Sequence, residues 1–328
     1  MKEGIPNPMP REKTKLITSI GGQALVEGIM MRGPQKTEIA VRMPDGSVSA
    51  EELPAESLRR KRFWRFPFFR GIAAFVDAMA VGYQALSRSV EKAGLDDEET
   101  ESKFDLWVEK KFGSHMMEAV MVAGTVLGLV LAIVLFFVLP TWVFNLIEGA
   151  AGPSLEGWRS PVEGVMRIAI FVGYLAFCAS MPDMRRMFQY HGAEHKTIFC
   201  YENDEKLTVE NVRRHQRFHP RCGTSFLVLM LLIGILVGFF IPFTNPFLRT
   251  AVKILCIPLV MGAGFEVIRY CARHDNLLTH IVSAPGLWMQ RITTKEPDDG
   301  MMEVAIAAIR EVIPENGEDR ISLPADEK

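Results

Sequence analysis

A chain of 328 residues with five cysteines, a formal net charge of -2 and 48% hydrophobic residues excludes several classes. The near-neutral balance gives no electrostatic footprint for nucleic acid, and cysteines at 178, 200, 222, 256 and 271 follow no disulfide-framework spacing. The apolar residues are bunched rather than periodic, with a mean hydropathy of +0.13, which points to a mainly α membrane protein.

Residues 1–15 are proline-rich and charged, lack an apolar signal core, and read as a flexible tail. Insertion then depends on internal segments. Residues 16–54 read as a small N-terminal β-rich cytoplasmic unit, because TEIAVRM and SVSAEEL flank a turn over Pro44-Asp45-Gly46. Its one early acid, Glu27, reads as a surface or capping group. Residues 59–90 open with RRKRFWRFPFFR and continue as an amphipathic helix whose polar residues Arg70, Asp77 and Gln84 recur every seven. Cationic and aromatic flanks suit a headgroup region, so this helix is expected to be interfacial. Residues 91–115, including DDEETES, read as a solvated acidic linker.

Residues 116–268 read as a bundle of four transmembrane helices, over 119–139, 162–181, 223–248 and 249–268. Glu163 and Arg167 stand four apart at the start of the second and are expected to pair. Pro242, Pro246 and Pro258 interrupt the last two. The connector 182–223 is rich in Lys and Arg, whereas the connector between the first two segments holds only Arg159. That bias predicts a multi-pass protein of the bacterial cell membrane with both termini cytoplasmic. Residues 269–313 read as cytoplasmic amphipathic segments and 314–328 as a disordered tail.

The connector carries the chemistry. Residues 189–223 hold four of the seven histidines. His191, Glu194 and His195 form an H-x-x-E-H pattern, which a helix gathers within an arc of roughly 100°. Two neutral imidazoles four residues apart can hold one transition metal, and Glu194 is then placed as a general base. His219 and Cys222, in a tight H-P-R-C-G turn, are the expected third and fourth ligands. Glu266 is a weaker alternative ligand, with pairing to Arg269 or Arg185 as its structural role. His215 reads as solvated among Arg213, Arg214 and Arg217. His274 with Asp275, and His280, read as surface pairs.

The segments GGQALVEGIMMRGP, YHGAEHKTIFCYE, HPRCGTSFL and PGLWMQRITTKEPDD, in this order around apolar segments, resemble a bacterial membrane family. It is catalogued as domain of unknown function 1385, and its members are labelled predicted metal-dependent enzymes. The resemblance runs from about Ile20 to Ile313 and implies a zinc site, or one for another divalent transition metal. Three functions follow in order of expectation. The first is a zinc hydrolase at the cytoplasmic membrane face. The second is a non-enzymatic membrane scaffold or assembly factor closed by a four-ligand structural zinc, with a membrane-protein partner. The third is a transporter, ranked last because the apolar segments show no interior rows of charge.

Overall fold

The structure, a computed structural model, describes residues 16–54, 62–66, 69–95, 114–271, 274 and 276–322. The expected N-terminal tail, the first three residues of RRKR, the DDEETES run and Asp275 lie outside these residues.

Strands β1 (Leu16–Thr18), β2 (Gly21–Leu25), β3 (Gly28–Arg32), β4 (Thr37–Arg42), β5 (Val48–Glu52) and β6 (Arg320–Ser322) form two antiparallel sheets. The larger has the order β2-β3-β4-β5. The β4–β5 turn falls where the sequence places it: Gly46 takes a positive φ of 85° and the Ser47 N–H donates to Asp45 Oδ1 at 2.8 Å. The helices are α1 (Phe69–Lys92), α2 (Ser114–Ile133), α3 (Leu139–Ala151), α4 (Arg159–Ser180), α5 (Pro182–Glu202) and α6 (Val209–Arg214). Beyond them lie α7 (Gly223–Gly238), α8 (Pro246–Leu255), α9 (Ile257–Cys271), α10 (Leu277–Thr293) and α11 (Asp299–Val312).

The strand period of two divides the sheet's side chains between two layers. Ile29, Met31 and Ala40 pack against Tyr190 and Ala193 of α5 and against Ile309 of α11. Their neighbours Met30 and Ile39 face the other way, onto Val81 and Ala85 of α1. The sheet is therefore covered on both sides, and α5 is held along β2.

Two segments are long and apolar enough to cross a membrane: Ala123–Ala151, 29 residues running through a π turn at Val134–Val138, and Arg159–Ser180. The helices α8 and α9 together make a third candidate, bent by 47°. The expectation of four spans is thus corrected to two or three among the described residues. Helix α7 has only 16 residues, about 24 Å against a hydrocarbon core of about 30 Å. It ends before Pro242, and Pro258 lies in the first turn of α9, where its missing N–H and the crowding of its ring against the carbonyl four residues back place the break with α8 just before it.

Helix α1 turns its polar stripe inward: Asp77 is buried and Arg70 reaches Glu266, while Val76, Met79 and Tyr83 are exposed. Two further expectations change. The apolar bundle does hold interior charge, because Glu163 pairs with Arg249 and Lys253 as well as with Arg167. The C-terminus is not a simple tail from residue 314, since β6 pairs with β1 and Asp319 is buried. There Asp319 accepts from Thr18 Oγ1 at 2.7 Å and its carbonyl accepts from the Ser19 N–H at 2.7 Å.

Truncation after Pro314 removes these bonds and should lower the unfolding midpoint by several degrees, on the order of 2 kcal/mol for a buried hydrogen-bonded acid and a short ladder. Truncation after Ser322 should leave it unchanged. Equal midpoints for both truncations, measured by thermal scanning in detergent, would contradict the β1–β6 pairing.

Candidate metal centre

Met181 is extended and Pro182 occupies the first turn of α5, so α5 starts afresh beyond α4. From that start the helical period brings His191 and His195 onto one face, with ring centroids 4.4 Å apart. Cys222 caps the N-terminus of α7, and its thiol accepts from the Thr224 N–H at 3.4 Å. One ligand atom each from His191, His195 and Cys222 lies within 4.8 Å of the other two. His191 Nε2 lies 3.1 Å from Cys222 Sγ.

The outer nitrogens decide the tautomers. His191 Nδ1 lies 2.8 Å from the carbonyl oxygen of Thr293, and His195 Nδ1 lies 2.5 Å from that of Arg217. A carbonyl only accepts, so both Nδ1 atoms carry the proton and both Nε2 atoms present a lone pair toward Cys222. Metal-ligating histidines show this arrangement, with the second nitrogen donating to a carbonyl. His195 Nε2 is buried without a hydrogen-bond partner, and so is Glu194 Oε2. Leaving such atoms unsatisfied costs about 1–3 kcal/mol each, and a bound cation would satisfy the nitrogen. The donor set therefore fits zinc.

The electrostatics agree with that donor set. Burial holds the His195 imidazole neutral by pushing its pKa down. Burial opposes the Cys222 thiolate, whereas the Thr224 hydroxyl and N–H favour it. Glu194 is pushed up to about 7 by burial, against the opposing pull of His191 and the Gly22 N–H. Its carboxyl lies over Gly22 of β2, where an added Cβ would stand 2.9 Å from Glu194 Cδ and 2.7 Å from the Met30 carbonyl oxygen. Glu194, His195, Cys222 and Gly22 all line one cleft of about 680 Å³.

His219 is brought beside this cluster but not into it. Its ring lies 5.6 Å from that of His195, and its Nε2 lies 3.6 Å from Glu202 Oε2. Glu202 also holds Arg221; burial would raise its carboxyl, yet His219 and Arg221 keep it below the ordinary carboxylate value. The His219 backbone is clamped at both polar atoms by Gln290, at 2.7 and 2.8 Å. Glu266 lies apart from the cluster and pairs with Arg70, Nε to Oε1 2.7 Å. Glu27 sits in the β2–β3 turn at a φ of 49° and binds Arg186 and the Tyr190 hydroxyl. His274 stacks on Tyr270. His215 is not simply solvated: with Cys200 and Glu205 it makes a second group, its Nε2 3.3 Å from Glu205. Burial and Glu205 push the Cys200 thiol up to about 11, which disfavours the thiolate there.

Sequence reasoning missed the supports. Gly192 has no room for a side chain, because a Cβ would lie 2.1 Å from the Lys295 carbonyl oxygen. The chain after α10 therefore lies directly on α5, with the Lys295 N–H donating to the Phe188 carbonyl at 2.7 Å, which sets Thr293 against His191. The signal was present in the TTKEPDD segment and in Gly22 of the paired glycines.

A family described as "Protein of unknown function (DUF1385)" matches residues 66–315. The chain belongs to this family. The matched part holds His191, Glu194, His195, His219 and Cys222, while Gly22 lies before it. The chain is also similar to "Uncharacterized protein YqhQ" of Bacillus subtilis (strain 168), 36% identical over 303 residues, 92% of this chain and 94% of the relative. No solved structure matches.

Two outcomes follow from this geometry. Gly192→Ala should displace the 293–297 segment and destabilise the protein by ~1–3 kcal/mol, measured as a lowered thermal midpoint; an unchanged midpoint would contradict the contact. In metal-free protein the Glu194 carboxyl has its folded value raised from the ordinary 4.5 to about 7, so the native state holds a proton that the unfolded chain releases. The sign is a loss: stability is greatest below about 4.5 and falls as pH rises through 7. Relative to Glu194→Gln, the wild type should lose on the order of 3 kcal/mol across that window, and parallel pH–stability curves would contradict it.

Proposed function

We propose that this family member is a zinc-dependent membrane hydrolase acting at the cytoplasmic face. The observation that carries the reading is the count of converging donors. Two Nε2 lone pairs and one thiol point at a common centre, while His219 is engaged by Glu202. Three protein ligands with a remaining position are the pattern of catalytic zinc, whereas structural zinc is closed by four. When bound, zinc supplies Lewis-acid polarisation to water or to a substrate carbonyl or ester. His191 and His195 stay in a fixed tautomer through Thr293 and Arg217. Glu194, buried with an unpartnered Oε2 and a pKa of about 7, takes the proton of the attacking water at that oxygen and returns it to the leaving group. The cleft beside β2 gives a substrate its approach.

The same convergence supports a topology. Gly22, Glu194, Cys222 and the Thr293 carbonyl meet at one place, so the chain returns to the same side between Cys222 and Thr293. In this reading α7 and the bent α8–α9 pair enter and leave from one face, and the sheet, α5 and α11 share the Lys/Arg-rich cytoplasmic side.

Purified wild type should carry about one zinc per chain, and His191→Ala with His195→Ala should carry none. Glu194→Gln should keep the zinc and lose ~10²–10⁴ in rate, read as failure to complement a deletion phenotype. His219→Ala should also keep the zinc. Loss of zinc from His219→Ala, with full complementation by Glu194→Gln, would instead support the structural, scaffold reading.

In intact cells a membrane-impermeant thiol reagent should label Gly157→Cys, between α3 and α4, and not Ser47→Cys. Labelling at Ser47→Cys would overturn the topology.

A further inference from the structure

A second constellation lies in the first third of α4, at the opposite end of that helix from the His/Cys centre. Glu163 is 1% exposed and is surrounded by three cations. Arg249 Nε lies 3.0 Å from its Oε1, and Lys253 Nζ and Arg167 Nη2 lie 2.6 and 3.1 Å from its Oε2. Arg159 nearby is matched separately by Glu148 at 2.5 Å. One carboxylate thus serves three buried cations, a formal excess of two positive charges inside an apolar bundle. Buried charge without a counter-charge is costly, and more so at membrane depth.

Part of the excess is answered by backbone. Arg249 donates to carbonyls at the end of α7 and just beyond, at Gly238 and Phe243, and to Ser160 Oγ. Those are acceptors at the negative end of a helix. Arg167 Nε donates to the Phe136 carbonyl at 3.1 Å and Lys253 Nζ reaches Thr141 Oγ1 at 3.5 Å, and both side chains also line a cavity of about 220 Å³ whose other walls include Phe137, Leu231, Val237 and Val260. Water alone fits such apolar walls poorly. An anion with an apolar attachment fits both parts of the cavity.

We propose that this cavity binds the phosphate headgroup of an anionic membrane lipid, with Arg167 and Lys253 as its cationic contacts. A phosphate offers the charge that Glu163 cannot supply for three cations, and Arg binds it through paired N–H groups. The lipid source is favoured over a free anion by the surroundings. The exposed side chains of Leu236, Ile257 and Leu259, on the two helices that supply Val237 and Val260, continue the apolar walls outward. This site is independent of the metal centre and of the reaction proposed for it.

The test uses full-length protein in neutral detergent with three probes: dioleoylphosphatidylglycerol, dioleoylphosphatidylcholine and inorganic phosphate. Phosphatidylglycerol should raise the unfolding midpoint and remain bound in native mass spectra, and the other two should not. Lys253→Met should weaken phosphatidylglycerol binding about tenfold, the loss of one charge-assisted contact, while Lys253→Arg should retain it. Lys253→Met leaves Glu163 between two arginines, so no acid is orphaned, and an unchanged circular-dichroism spectrum and elution volume report an intact fold. Should Lys253→Met fail to fold, co-purified lipid on the wild type decides alone. Equal effects of the two lipids, or binding unchanged in Lys253→Met, would overturn the proposal. Phosphate matching phosphatidylglycerol would overturn the lipid source and leave a free-anion site.

Discussion

The centre depends on two hydrogen bonds that are not themselves part of it. Carbonyl oxygens of Thr293 and Arg217 fix the protons of His191 and His195 on Nδ1. Without that constraint each ring has two tautomers and a free rotation, and nothing would direct both Nε2 atoms at Cys222. Each carbonyl belongs to a segment far along the chain from its histidine, so the tautomers are a property of the folded state. The steps that bring those segments in are packing steps. Gly192 lets the chain at Lys295 touch α5, Gln290 clamps the backbone at His219, and Gly22 leaves room for Glu194.

The same packing separates the roles of neighbouring polar groups. Glu194 is buried and Glu202 half-buried on α5, and their surroundings drive them in opposite directions. Glu202 has Arg221 and His219 and stays ionised; Glu194 has a backbone N–H and little else, and burial prevails. A carboxyl held near neutrality beside two oriented imidazoles suits proton transfer, while one held ionised against a histidine suits positioning.

Much of this was legible in the sequence, and the rest failed for physical reasons. The H-x-x-E-H face needs only the helical period, and the β4–β5 turn needs only Asp45-Gly46. The spacing of His219 to Cys222 carries no information about Glu202, which stands seven residues beyond His195 on α5 and lies 3.6 Å from the imidazole. The span number falls short of the expectation because an uncharged run is not a helix: residues 223–248 carry no charge, but the helix that begins at Gly223 stops at Gly238. The seven-residue stripe of helix α1 is legible in the sequence, but not the direction it faces, which is set by Arg70 meeting Glu266 while the large apolar side chains remain outside. The charge cluster around Glu163 was half legible. The pair with Arg167 follows from i,i+4 spacing, whereas Arg249 and Lys253 arrive together on α8, 86 and 90 residues further along the chain.

The coordination shell is the most direct measurement of the central claim. X-ray absorption at the zinc edge, on full-length protein, should show two imidazole nitrogens at ~2.0 Å, one sulfur at ~2.3 Å and one further light atom without imidazole character. Three imidazoles and one sulfur, a closed shell that includes His219, would contradict the account.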